Sequence, residues 1–238
     1  MSASSDSIAQ SSQRLESIRH DTMERLDPLK PIYHESFVEN PAHFQHLITG
    51  GTALLVIDMQ YLDAARDCGV FADADSSGVP LEAQEYYFSN LEQYVVPNIR
   101  SLQDCFRSHK LEVIHTRIQA LTRDGRDRSA GHKRLELLAP PGSQEAEFLP
   151  EVAPLGDEIV INKTASGVFA STNLNYVLTN LGIRALYVAG VYTNECVETT
   201  VRDACDLGYF VTLVEDCCTT VTPELQRASL ATLRDRYA

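Results

Sequence analysis

Short apolar runs recur along this chain, each separated from the next by a loop or a stretch of helical spacing. That alternation restricts the fold more than any other feature. The first run, Ala53-Leu54-Leu55-Val56-Ile57, is apolar at every residue and stops at Asp58. A strand apolar on both faces belongs in a parallel sheet covered by helices on both sides. Comparable runs lie at Leu111 to Thr116, Glu158 to Ile161, Ala185 to Ala189 and Phe210 to Val214. Between them, Leu81 to Lys110 carries helical patterning that Pro97 is expected to break. Residues 171–181 place Leu174, Val177, Leu178 and Leu181 on one stripe, and Val197, Val201, Ala204 and Cys205 form another. A last helix is expected from about Pro223 to Arg236, with the proline suited to its first turn. Residues 62–80 and the charged stretch 120–145 read as loops. The alternation predicts an α/β chain, a Rossmann-like three-layer α/β/α arrangement around a mainly parallel sheet of five to six strands.

Residues 51–238 form the expected domain, and residues 1–50 an N-terminal extension. Positions 1–15 read as disordered and 16–50 as irregular, with Pro28, Pro31 and Pro41. With 33 acidic and 20 basic side chains the formal net charge is −13. An acidic chain lacks the electrostatic footprint for nucleic acid or an anionic membrane. No apolar stretch approaches the ~20 residues of a membrane span. Met1 to Arg14 is rich in Ser and Gln and has no apolar core of a secretory signal. A cytoplasmic location follows as the expectation, with the six cysteines as free thiols. None has zinc spacing, and Cys217-Cys218 reads as a pair of small buried hydrophobes.

Ligand sites in such sheets lie beyond the carboxyl ends of the strands. Asp58, Gln119, Lys163 and Cys196 each fall just past the end of a different expected strand. Cys196 sits in Gly190-Val191-Tyr192-Thr193-Asn194-Glu195-Cys196-Val197, where a strand turns into a helix. A thiol in the first turn of a helix meets the positive end of the dipole, so its pKa is expected to be lowered toward the nucleophilic thiolate. Successive backbone N–H groups at such a turn can also hold an oxyanion. Asp58 reads equally as a helix N-cap or as a buried carboxylate able to take the thiol proton. Lys163 follows an apolar strand and precedes small residues, Thr164 to Gly167, so it reads as a buried ammonium stabilising thiolate and oxyanion. Of the seven histidines, only His132, in the charged loop, is placed to join a site. HExxH, P-loop and GxGxxG motifs are missing.

Three separated motifs then match a family in order. Leu55-Val56-Ile57-Asp58-Met59-Gln60, Asn162-Lys163 and the Gly190 to Val197 run resemble the isochorismatase-like cysteine hydrolases over roughly residues 50–236. The resemblance implies a catalytic triad of Asp58, Lys163 and Cys196 and a non-proline cis peptide at Val191–Tyr192. It also implies an oxyanion hole of the Tyr192 and Cys196 amides. The metal-site pattern of the nicotinamidase members is missing around His115 to Gln119, so neither metal nor cofactor is implied. The polar loop at Asp124 to Ser129 and the Thr-Asn-Glu-Cys-Val run look most like the ureido-cleaving members, which act on biuret-like, N-carbamoyl or ureidoacrylate-like compounds in nitrogen metabolism. A small-molecule amide substrate and a homo-oligomer, a tetramer in the first place, follow as expectations. Substrate contacts are expected from Arg117, Gln119, Phe169, Tyr192 and Asn194, although Arg117 and Gln119 equally suit bracing of the loop. Family members commonly continue past the last helix into a short further strand, whereas this sequence stops at Ala238. Either the C-terminus is shortened or the sequence is cut there, and the resemblance leaves the sheet edge and one pocket wall open. An amidase for nicotinamide or maleamate, or a silent binding protein of this fold, are the alternatives.

Overall fold

All six residues of β1 (Thr52–Ile57) are buried, and their side chains alternate between two cores. Ala53, Leu55 and Ile57 face one cluster, and Leu54 and Val56 face the other. That double burial is why the run carries no polar residue except Thr52 at its start. The computed structural model describes residues 49–73 and 77–238, together with residue 46. The expected disorder of residues 1–15, and nearly all of the irregular stretch 16–50, lie outside the described residues.

Four further strands follow: β2 (Glu112–Ile118), β3 (Ile159–Lys163), β4 (Ala185–Val191) and β5 (Phe210–Thr219). All pairs are parallel, in the order β3-β2-β1-β4-β5. The expected parallel sheet is there with five strands among the described residues. Helices α1 (Leu81–Asn90) and α2 (Val96–Ser108) cover the Leu54 face through Tyr87, Phe88, Ile99 and Phe106. Helices α3 (Leu174–Asn180), α4 (Glu198–Asp206) and α5 (Pro223–Leu233) cover the other face through Leu174, Leu178, Val201, Ala204 and Leu233. Fully burying each of the Leu, Ile, Val and Phe side chains among these stabilises the fold by ~1.5–3 kcal/mol.

Pro97 does not break the helix, contrary to the sequence expectation. A wider π turn at Leu91–Val95 joins α1 to α2 and brings Pro97 into the first turn of α2. There a residue without an N–H costs no helical bond. A one-turn helix, Tyr61–Ala64, runs into the start of the expected loop at 62–80, and the loop at 120–145 contains another, Ala130–Arg134. Cys217 and Cys218 are buried free thiols within the extended β5. Among the described residues no helix is long and apolar enough to cross a membrane.

β1 and β4 approach each other tightly at the end that carries the polar groups. Gly190 has φ +119°, and a Cβ there would lie 2.0 Å from the Ile57 carbonyl oxygen. Only glycine fits both the backbone angle and the contact. The strand order reverses direction between β1 and β4, so the crevice at their carboxyl ends is the place where such sheets bind ligands.

Candidate active site

Three of the polar groups at this edge meet. Asp58 leaves β1 with φ 54°, a left-handed conformation that Asp tolerates better than bulkier residues. Its amide donates to the Thr116 carbonyl of β2 at 3.1 Å, and the Thr116 hydroxyl donates to Oδ1 at 3.4 Å. Lys163 is the last residue of β3 and entirely buried. Its Nζ lies 2.8 Å from Asp58 Oδ2 and donates to Cys196 Sγ at 3.3 Å and to the Ala165 carbonyl at 3.1 Å. The lysine stem spans the end of β2, which separates β3 from β1. A shorter cation would not reach across two strand spacings of about 4.8 Å. Asp58 does not cap a helix: the turn Tyr61–Ala64 starts after Gln60 and has no side-chain cap.

Cys196 lies 4% exposed within a π turn, Thr193–Val197, that leads from β4 into α4. Such wide turns are frequent at functional sites. The amides of Glu195 and Val197 both donate to the Tyr192 carbonyl, at 3.0 and 3.3 Å. The Val191–Tyr192 peptide is cis.

The expected lowering of the Cys196 pKa is overturned. Burial pushes the thiol well up, and the nearby Asp58 and Asp63 carboxyls push it further. Lys163 opposes this without reversing it. Desolvation of the sulfur outweighs the helix terminus, and the group rests as a thiol. Burial also raises the Asp58 carboxyl, against the pull of Lys163 and of the neighbouring Cys196 and Thr116 side chains. Burial disfavours the Lys163 ammonium, but Asp58 and Cys196 outweigh it and raise its pKa. The trio is a fixed cation, a carboxyl with raised proton affinity paired to it, and a thiol that accepts from the same cation.

A cavity of about 270 Å³ opens on the sulfur. Tyr192 and Asn194 line it, and the Asn194 side chain is held by the Thr220 hydroxyl. Arg117, Gln119 and Phe169 do not line it. Arg117 braces the loop, donating to Asn162 Oδ1 at 2.8 Å and to the Ala146 carbonyl at 2.8 Å. Gln119 is buried and its amide donates to the Lys163 carbonyl at 3.0 Å, continuing the β2–β3 ladder. Phe169 stacks on Tyr209 with ring centroids 6.0 Å apart, in the core under α3. Position near a strand end fixed their edge of the sheet but not the side their chains turn to.

Three groups escaped the sequence reading. Gln60 is fully buried and satisfied, donating to the carbonyls of Ile118 and Glu145 and accepting from the Ile118 amide at 2.6 Å. It ties the ends of β1 and β2 to the loop wall. Asp63 is 3% exposed and lines the cavity. Its only sequence signal is an acid set between Leu62 and Ala64. Glu195, exposed beside the nucleophile candidate, lines it as well. His132, weighed from sequence, is buried in the cavity wall with its pKa lowered to about 4, first by burial and then by Lys163 and Arg128. Among the described residues no cluster of three His, Cys, Asp or Glu side chains suits a metal ion.

Comparison with known proteins agrees with this layout. The model of the isochorismatase domain matches residues 52–238. A ureidoacrylate amidohydrolase, RutB, of Caulobacter segnis is 32% identical over 202 residues, covering 75% of this chain and 77% of that protein. RutB of Acinetobacter baylyi is 38% identical over 100 residues, covering 42% of this chain and 40% of that protein. Among solved structures, an isochorismatase family protein from Desulfovibrio vulgaris is 26% identical with a TM-score of 0.64, covering 77% of this chain and 90% of that one.

Proposed function

The chain belongs to the isochorismatase family, and from that premise we propose that it hydrolyses a carbon–nitrogen amide bond of a small ureido-type compound through an S-acyl intermediate on Cys196. The observation that carries this reading is the placement of Lys163 Nζ within 2.8 Å of Asp58 Oδ2 and 3.3 Å of Cys196 Sγ, at the wall of a cavity. The similarity to proteins named ureidoacrylate amidohydrolase supports the reaction class.

In this reading Asp58 takes the Cys196 proton as sulfur attacks the carbonyl carbon. The neutral resting thiol suits that order, because proton transfer and attack are coupled instead of depending on a standing thiolate. Lys163 keeps its positive charge and offsets the negative charge on sulfur and then on the tetrahedral oxygen. The backbone amides of Tyr192 and Cys196 are assigned to that oxygen. Asp58 then hands its proton to the departing nitrogen, the C–N bond breaks, and an amine or ammonia leaves. Water attacks the S-acyl carbon with Asp58 taking its proton, and the proton returns to sulfur as the C–S bond breaks. A terminal ureido group yields ammonia and a carbamate by these steps.

Ammonia release tests the proposal, measured over biuret, N-carbamoyl amino acids, ureidoacrylate and nicotinamide. Cys196→Ala is expected to lower turnover at least about ten-thousandfold while the circular dichroism spectrum is retained. Full turnover in Cys196→Ala, or no ammonia from any ureido compound, would remove the proposal.

A further inference from the structure

Two carboxyls, Asp63 and Glu195, sit in the otherwise largely apolar wall of the cavity beside Cys196. Asp63 Oδ2 is buried without a hydrogen-bond partner, on a side chain that is 3% exposed and lines the cavity. Its backbone is held firmly: the hydroxyls of Tyr87 and Tyr192 both donate to the Asp63 carbonyl, at 2.9 and 3.0 Å. Glu195 adds a second carboxyl to the wall, exposed to solvent. No lysine or arginine lines the cavity among the described residues. The ammonium of Lys163 is committed to Asp58, Cys196 and the Ala165 carbonyl. The aromatic side chains of Phe71 and Tyr192 share the rest of the wall with aliphatic residues, among them Ile118, Leu135 and Leu137.

A buried carboxyl oxygen without a donor is costly to leave so, and a ligand that brings N–H groups would satisfy it. A positively charged nitrogen group would also suit the aromatic faces. Burial, reinforced by the Asp58 carboxyl, raises the Asp63 carboxyl well above its usual range, and burial raises Glu195 as well. A cation in the cavity is therefore the ligand that would draw Asp63 into its charged form, while a carboxylate would add a further acid with no free cation to offset it.

We propose that Asp63, with Glu195 beside it, selects substrates by the end remote from the scissile amide, favouring an ammonium or guanidinium there, accepting a neutral urea and excluding a carboxylate. The inference rests on the reading of the cavity as the substrate site of an amide hydrolase. It narrows that reading to small amides with a cationic, nitrogen-rich tail. Asp63 and Glu195 act here as specificity residues and take no part in the bond changes.

Calorimetric binding of three probes of matched length to the full chain tests this without requiring turnover: butylguanidinium, butylurea and pentanoate. The guanidinium is expected to bind at least about tenfold more tightly than the urea, a charge-assisted advantage, and pentanoate is expected not to bind measurably. Asp63→Asn is expected to reduce the guanidinium advantage to about threefold or less, leaving urea binding within about threefold. Glu195→Gln, at a solvent-exposed position, is expected to give a smaller loss in the same direction. Pentanoate binding as tightly as the guanidinium, no binding of any probe, or an unchanged guanidinium advantage in a folded Asp63→Asn overturns the proposal. If Asp63→Asn does not fold, the ranking of the three probes on the unmodified chain decides alone. Selective guanidinium binding by a chain that releases no ammonia would leave this inference standing and remove the hydrolase reading. Ammonia release with pentanoate-like substrates preferred would do the reverse.

Discussion

Two charge clusters sit on this sheet, one part-buried and one fully buried, and their carboxyls are shifted in opposite directions. Glu158, just before β3, accepts from Arg107 Nε at 2.7 Å, Arg107 Nη2 at 3.0 Å and the Leu155 amide at 2.9 Å, and bonds His115 Nε2 at 2.9 Å. Burial alone would raise its pKa, but Arg107, the Leu155 amide and His115 hold it down at about 2. Asp58 also has a cation at 2.8 Å, yet its pKa is raised. The difference lies in burial and in the quality of the other bonds. Asp58 is 1% exposed, its Thr116 contact is long at 3.4 Å, and its remaining neighbour is a thiol. A carboxylate surrounded by short bonds to a guanidinium and an amide has no use for a proton. A carboxyl sealed beside a thiol and a single ammonium retains affinity for one. The proton affinity of an acid in an ion pair on this sheet therefore follows how fully that acid is satisfied.

Asp58→Asn gives the largest expected contrast. It should lower turnover by about a thousandfold per folded molecule, the size of a lost acid–base group, measured as ammonia release. It also leaves the Lys163 ammonium buried without a counter-charge, so denaturant melts should show a loss of about 3–5 kcal/mol. Glu158→Gln should give the opposite pattern: turnover per folded molecule within about threefold, and stability lower by about 2–3 kcal/mol. Equal effects of the two substitutions on turnover would break the comparison.

Acid sharpens the same contrast. The native pKa of Glu158 lies below its ordinary value near 4.5, so its contribution is present above pH 4.5 and is lost as pH falls toward 2. His132 acts earlier. Its native pKa of about 4 lies below the ordinary 6.5, so between those values the unfolded chain binds a proton that the native chain refuses. Stability should fall as pH drops from 6.5 to 4, by on the order of 2–3 kcal/mol from this group. In His132→Gln that limb of the stability profile should flatten, read from urea midpoints at pH 7 and pH 4.5. An unchanged slope would show that the imidazole is not sealed in the cavity wall.

Much of this layout was legible in the sequence, for physical reasons. The unbroken apolar run of β1 could only be a strand buried on both faces, and Asp58 marks where it leaves the sheet. Lys163 betrayed itself as a charge following an apolar strand, with small residues after it. Cys196 stood out at a strand-to-helix turn. The directions of Arg117, Gln119 and Phe169 were not legible, because residues near a strand end share an edge while their side chains alternate sides. The cavity wall was not legible either. It is assembled from Asp63, His132 and Thr220, which lie far apart in the chain on segments without periodicity. The state of the thiol was misread because helix-end position favours thiolate by a modest amount, while complete desolvation opposes it by more. Pro97 was misread because a π turn upstream absorbs it.

In the proposed mechanism Cys196 carries the acyl group while Asp58 and Lys163 manage proton and charge. Acid-quenched mass spectrometry during turnover of a small ureido compound tests this most directly. The predicted result is a mass increase equal to the substrate minus its departing amine, located on the peptide containing Cys196 and missing in Cys196→Ala. Ammonia release at the full rate with that peptide unmodified at every quench time, or an adduct on another residue, would contradict it.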